Sequence, residues 1–166
     1  MDLEVSRSPN QLDDRPYRRS VGKRPARRVW NLNVLLVDDD VADTELILNV
    51  LKRHPEVSTA RATDAPEFAL RQLASENHLK PDLVLLDIQM PRMNGFNFLE
   101  AMRQIPSMAH VPVVFLTTSR LASDVARTKE GSASLYVIKP DSYFELQARL
   151  NGVLRRAASG RWEKMP

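Results

Sequence analysis

The sequence predicts an α/β fold: a doubly wound, five-stranded parallel sheet with helices on both faces. Three observations predict it. Short apolar runs recur at 34–37, 83–86, 113–116 and 135–138, and runs this short and this apolar read as strands buried on both faces. They alternate with longer stretches of helical period, the pattern of right-handed strand–helix–strand crossovers. Each run also ends on a chemically useful side chain: Asp38-Asp39, Asp87, Thr117 and Lys139. In a parallel sheet those ends gather at the carboxyl edge, where open α/β sheets place their sites.

The elements follow in order. Residues 33–38 form the first strand. Residues 41–54 form a helix with Leu46, Leu48, Val50 and Leu51 among its apolar positions, and Asp40 is placed to cap it. Residues 57–61 form an edge strand. Residues 64–75 form a helix, with Asp64 and Glu67 spaced as a capping box. Residues 83–87 are the central strand, and 96–104 a helix following Gly95. Residues 113–117 are the fourth strand, 121–129 a short helix and 135–138 the fifth strand. The last helix, 141–156, carries Tyr143, Leu146, Leu150 and Val153 on one stripe. Phe144 and Leu154 fall off that stripe and are expected to be exposed.

At 166 residues the chain suits one domain of about 100–150 residues with tails. Its 43% hydrophobic and 27% charged content is ordinary for a globular protein. No run approaches the roughly 20 apolar residues needed to span a bilayer, and no secretory signal is visible. The absence of cysteine excludes a disulfide framework and agrees with a cytoplasmic location. Residues 1–30 hold eight Lys/Arg and four acids, a net charge of +4 in a chain of net +3, so the remainder carries −1. The organisation expected is therefore a basic, disordered arm over 1–30, the domain over 31–157 and a tail over 158–166. The arm reads as a solvated tail in preference to a nucleic-acid-binding arm.

The site chemistry follows from the strand ends. Two carboxylates about 4 Å apart repel by roughly 4 kcal/mol at an effective dielectric of 20. Asp38, Asp39 and Asp87 together therefore need a cation, and oxygen ligands suit a hard ion such as Mg²⁺. Three scattered histidines and no cysteine argue against a soft-metal site. Lys139 adds a mobile positive charge and Thr117 a hydroxyl. An aspartate among these groups can act as a nucleophile toward a phosphoryl donor.

The set Asp38-Asp39, Asp87, Thr117 and Lys139-Pro140, with Met90-Pro91 and Gly95 after Asp87, resembles the receiver domain of two-component response regulators. The resemblance covers residues 34–156. It implies the flavodoxin-like strand order 2-1-3-4-5. It also implies that Asp87 accepts a phosphoryl group from a histidine kinase, and that Asp39 binds Mg²⁺ directly and Asp38 through water. The backbone carbonyl of Gln89 would complete the ligand set. Thr117 and Lys139 would contact the phosphoryl oxygens, Tyr136 would be the switch aromatic, and the Lys139-Pro140 bond would be cis. The chain departs from the family's usual residues at Thr118, Leu135 and Asp141. The absence of an attached output module implies a stand-alone regulator acting on a downstream protein or a phosphotransfer protein. The Asp-x-x-Asp-Thr-Glu start of the first helix and the Thr-Thr-Ser run are similar to regulators paired with phytochrome-type histidine kinases, relatives that often form homodimers.

Two other function classes fit parts of the sequence. An Mg²⁺-dependent phosphatase with an aspartate nucleophile usually carries an acid two residues further on, where this chain has Gln89, which cannot do that work. A nucleic-acid binder would act through the basic arm.

Overall fold

The computed structural model describes residues 31–118, 135–160 and 162. Strands are β1 (Leu32–Val37), β2 (Val57–Thr63), β3 (Leu83–Asp87), β4 (Val113–Thr117) and β5 (Leu135–Ile138). Helices are α1 (Val41–Arg53), α2 (Pro66–Ala74), α3 (Gly95–Arg103) and α4 (Tyr143–Ala158), with a 3-10 turn at Pro106–Met108. The expected helix over 121–129 and the arm over 1–30 lie outside the described residues.

All five strands pair in parallel, in the order β2-β1-β3-β4-β5 that the family resemblance implies. Alternation along the strands splits the core into two layers. Val34, Leu36, Leu83, Leu85, Val114, Leu116 and Val137 pack with α1 and α4. Leu35, Val37, Val84, Leu86, Val113 and Phe115 pack with α2 and α3. Every residue of β3 and β4 is buried, which explains why these strands read as unbroken apolar runs. The same parity continues past the strand ends. Asp38 and Asp87 follow the α1/α4 face, as does Lys139, two residues beyond Val137.

The helix ends have local causes. Asp40 caps α1 by accepting from the Asp43 N–H at 2.9 Å, as expected. Asn94 caps α3 by accepting from Asn97 N–H at 3.0 Å. The capping box at Asp64 does not form. Ala65 is the N-cap and offers no side-chain cap, and Pro66 opens α2. The residue before a proline is driven out of the helical region, and proline's fixed φ suits the first helical position. Thr63 accepts from Ala65 N–H at 3.1 Å instead.

Helix α4 corrects a second expectation. Leu154 is fully buried, along with Ala157 and Ala158, while Phe144 is 81% exposed. Leu154 lies four residues after Leu150 and so shares its face. The helix buries an arc wider than the four-residue stripe, because it packs on both the sheet and α1. Beyond α4, Trp162 packs back against the α1/α4 layer.

Candidate functional site at the carboxyl edge

Three strand ends and one helix turn converge here. Asp38 and Asp39 follow β1, Asp87 ends β3, and carboxylate oxygens of these three residues lie within 4.8 Å of one another. Asp38 and Asp87 are buried and Asp39 is more open. Lys139 follows β5, and its backbone N–H donates to the Thr117 carbonyl at 2.7 Å, which extends the β4–β5 ladder by one residue. The Lys139 ammonium reaches across to Asp38 Oδ2 at 2.7 Å, Asp43 Oδ2 at 2.8 Å and Asp87 Oδ1 at 3.0 Å. Backbone amides hold the other carboxylate oxygens. Asp40 N–H donates to Asp38 Oδ1 at 3.0 Å, and Gln89 N–H donates to Asp87 Oδ2 at 2.6 Å.

The charges do not balance. Among the described residues, the carboxylates of Asp38, Asp43 and Asp87 pair with one ammonium, and Asp39 lies with Asp38 and Asp87. Burial opposes the charge on Lys139, yet its bonds to Asp38 and Asp43 and the field of Asp87 outweigh burial and raise its pKa. Burial also raises Asp38 above the usual carboxylate value, by more than the Lys139 and Asp40 bonds lower it, and Asp87 adds to the rise. The rise at Lys139 and the Asp87 contribution at Asp38 both come from the carboxylates gathered around this ammonium.

A divalent cation fits this set. Hard cations bind oxygens at about 2.0–2.6 Å, so oxygens up to about 4–5 Å apart are spanned by one ion. The three-residue cluster meets that limit, and the surplus negative charge is what a cation would relieve.

The loop after Asp87 is tightly constrained. Gly95 N–H donates to the Ile88 carbonyl at 3.0 Å. A Cβ at Gly95 would lie 2.3 Å from the Asp87 carbonyl oxygen and 3.0 Å from Phe115 Cε1, so only glycine allows α3 to start here. Arg92 sits at φ 69°, between Pro91 and Met93, whose carbonyl and N–H bond at 2.8 Å in a γ-turn.

Among the residues singled out from sequence, Asp38, Asp39, Asp87 and Lys139 come together directly. Gln89 enters through its N–H. Thr117 is fully buried at the end of β4. Tyr136, paired with Phe115 across the ladder, is partly buried and packs on the α2/α3 layer. One expectation is overturned: the structure contains no cis peptide among the described residues, so Lys139-Pro140 is trans. Trans is the lower-energy form even before proline, by about 0.5–1 kcal/mol, and Lys139 reaches all three carboxylates from it. Asp43 was missed. Its signal was a carboxylate in the first turn of a helix that starts at the site edge, three residues after the capping Asp40.

The comparisons agree with this geometry. A family model for the response regulator receiver domain matches residues 34–151. The response regulator Rcp1 of Synechocystis sp. is 32% identical over 124 residues, which is 72% of this chain and 84% of that protein. The DNA-binding response regulator MtrA of Mycobacterium tuberculosis is 37% identical over 123 residues, but this chain spans only 50% of it. Among solved structures, the phosphorylated cyanobacterial phytochrome response regulator RcpA aligns with a TM-score of 0.72 at 25% identity, covering 78% of this chain and 96% of that one. The Mn²⁺-bound form of Rcp1 aligns with a TM-score of 0.68 at 28% identity, covering 81% and 99%. A parallel sheet in the order 2-1-3-4-5, an acidic pocket closed by a lysine, and a family match over most of the described residues lead to one assignment: the chain belongs to the response regulator receiver-domain family.

Proposed function

We propose that this chain is a phosphorylation-controlled binding module in which Asp87 is the phosphoacceptor. The observation that carries the reading is the surplus of carboxylates around one ammonium, with Asp87 at the end of the central strand. Asp39 and Asp87 would hold Mg²⁺ directly, Asp38 through water, with the Gln89 carbonyl as a further ligand. The ion would supply charge neutralisation for the transferring phosphoryl group. An Asp87 oxygen attacks phosphorus as the bond to a donor histidine breaks. Lys139 exchanges a carboxylate contact for a phosphoryl oxygen, and Thr117 donates its hydroxyl to another. Tyr136 answers the movement of Thr117. Gln89, two residues after Asp87, offers no acid or base for turnover of outside substrates, which supports a signalling protein over a phosphatase.

The phosphodonor is a sensor histidine kinase of the phytochrome type, a reading supported by the likeness to the phytochrome response regulator RcpA, and the output is contact with a protein target. The reading includes a homodimer through the face that carries the exposed Phe144. No helix among the described residues is long and apolar enough to cross a membrane, and the site of action is cytoplasmic. The test is phosphoryl uptake from acetyl phosphate. It should require Mg²⁺, stop with a chelator and weaken strongly in Asp39→Ala. Equal uptake with and without Mg²⁺ would remove the proposal. Sedimentation should show a dimer that Phe144→Glu disrupts, and a monomer at every concentration would remove that part.

A further inference from the structure

We propose that Asp43 is a positioning residue for Lys139: it gives the ammonium an anchor that does not compete with the metal. This rests on the reading of the acidic pocket as a cation site. The Lys139 ammonium donates to Asp38 and Asp43 at 2.7 and 2.8 Å and stands in an ion pair with Asp87 at 3.0 Å. Two of these partners belong to the cluster that a divalent cation would occupy. The ammonium and the cation therefore contend for Asp38 and Asp87. Asp43 stands outside that cluster, and its position is fixed because its own N–H is held by the capping Asp40 at 2.9 Å.

The consequence follows from the flexibility of the lysine stem. Without Asp43, the ammonium has only the two carboxylates that the cation needs. It then either resists the cation or leaves the pocket when the cation arrives. With Asp43 it retains one partner at the rim of the pocket, where Asp43 is 34% exposed. Lys139 thus stays in reach of an arriving phosphoryl group while Asp38 and Asp87 are released.

The experiment uses the full chain with Mg²⁺ and no phosphoryl donor. Calorimetry compares Mg²⁺ affinity in wild type, Asp43→Asn, Asp43→Glu and Glu45→Gln. The last removes the same charge from an exposed position of the same helix turn. Asp43→Asn should weaken Mg²⁺ binding about fivefold more than Glu45→Gln does, and Asp43→Glu should recover most of the loss. The ¹H–¹⁵N signal of the Lys139 ammonium, protected in Mg²⁺-loaded wild type, should broaden into exchange with water in Asp43→Asn. Asp43→Ala provides a second truncation should the amide variant fold poorly. Equal affinities for Asp43→Asn and Glu45→Gln, or an unchanged Lys139 signal, would overturn the proposal. Because no donor is present, failure of Asp87 to accept phosphate would sink the proposed function and leave this result standing.

Discussion

Strand β3 has an aspartate at each end, and the two sit in opposite electrostatic conditions. Asp82, just before the strand, is exposed. Its Oδ2 accepts from Asn33 N–H at 2.8 Å and from Asn33 Nδ2 at 3.0 Å, and its own N–H donates to the Asn33 carbonyl at 2.8 Å. Asn33 Oδ1 in turn accepts from the Thr59 hydroxyl at 2.7 Å, so one hydrated charge stitches β2, β1 and β3 in register. Asp87, at the other end, is 6% exposed and shares one ammonium with Asp38 and Asp43. The amino edge uses a charge that water and neutral donors already satisfy. The carboxyl edge buries a surplus. A chain optimised only for stability has no reason to build the second edge, so the contrast points to where function is carried.

The largest expected effect tests how closely the carboxyl edge is fitted. Gly95→Ala forces a Cβ against the Asp87 carbonyl, and the overlap is with backbone that cannot yield without moving the site. A loss of about 3 kcal/mol or more in urea unfolding is expected. A loss under about 1 kcal/mol would show that the α3 start relaxes freely.

Asp38→Asn reverses the sign. With metal absent it removes a desolvated charge, and Lys139 keeps Asp43 and Asp87. The variant should gain about 1 kcal/mol at neutral pH. Burial raises Asp38 above its ordinary 3.8, so the folded chain holds that proton more firmly than the unfolded chain. The cost of the charge is full above the raised value and absent below 3.8. The gain should therefore be largest at neutral pH and fade as pH falls through the folded value toward 3.8. Added Mg²⁺ should erase it by stabilising wild type more. Unfolding curves across pH decide this, and a pH-independent difference would contradict the burial argument.

Asp82→Ala should cost about 1 kcal/mol through the lost bonds to Asn33, with no effect on Mg²⁺ affinity. An equal effect on Mg²⁺ would erase the contrast between the two edges. Smallest of all is Glu145→Gln, which breaks the exposed i,i+4 pair with Arg149. A change within about 0.5 kcal/mol is expected.

Much of this was legible in sequence because burial on both faces leaves an unambiguous trace. Strands β3, β4 and β5 fall at the expected residues, since each is a short apolar run. Edge strand β2 reads less clearly. Val57–Thr63 alternates small and polar residues, and only its ladder with β1 carries it two residues beyond the expected end. The start of α2 was obscured by competing signals, an acidic pair spaced as a capping box and a proline whose geometry prevails. Leu154 was misplaced because a four-residue stripe understates the arc buried by a helix with two neighbours. At the site, residues at strand ends were found because parallel topology brings strand ends together. Asp43 lies on a helix, and only the reach of Lys139 across the sheet draws it in. The cis assignment of Lys139-Pro140 had no signal beyond the family resemblance.

The central claim is that Asp87 and the pocket around it accept a phosphoryl group, while Asp82 at the opposite end of the same strand plays no chemical part. Intact mass after incubation with acetyl phosphate and Mg²⁺ tests it most directly. Wild type and Asp82→Asn should each gain one phosphoryl group, and Asp87→Asn should gain none. Undiminished labelling of Asp87→Asn would contradict the account.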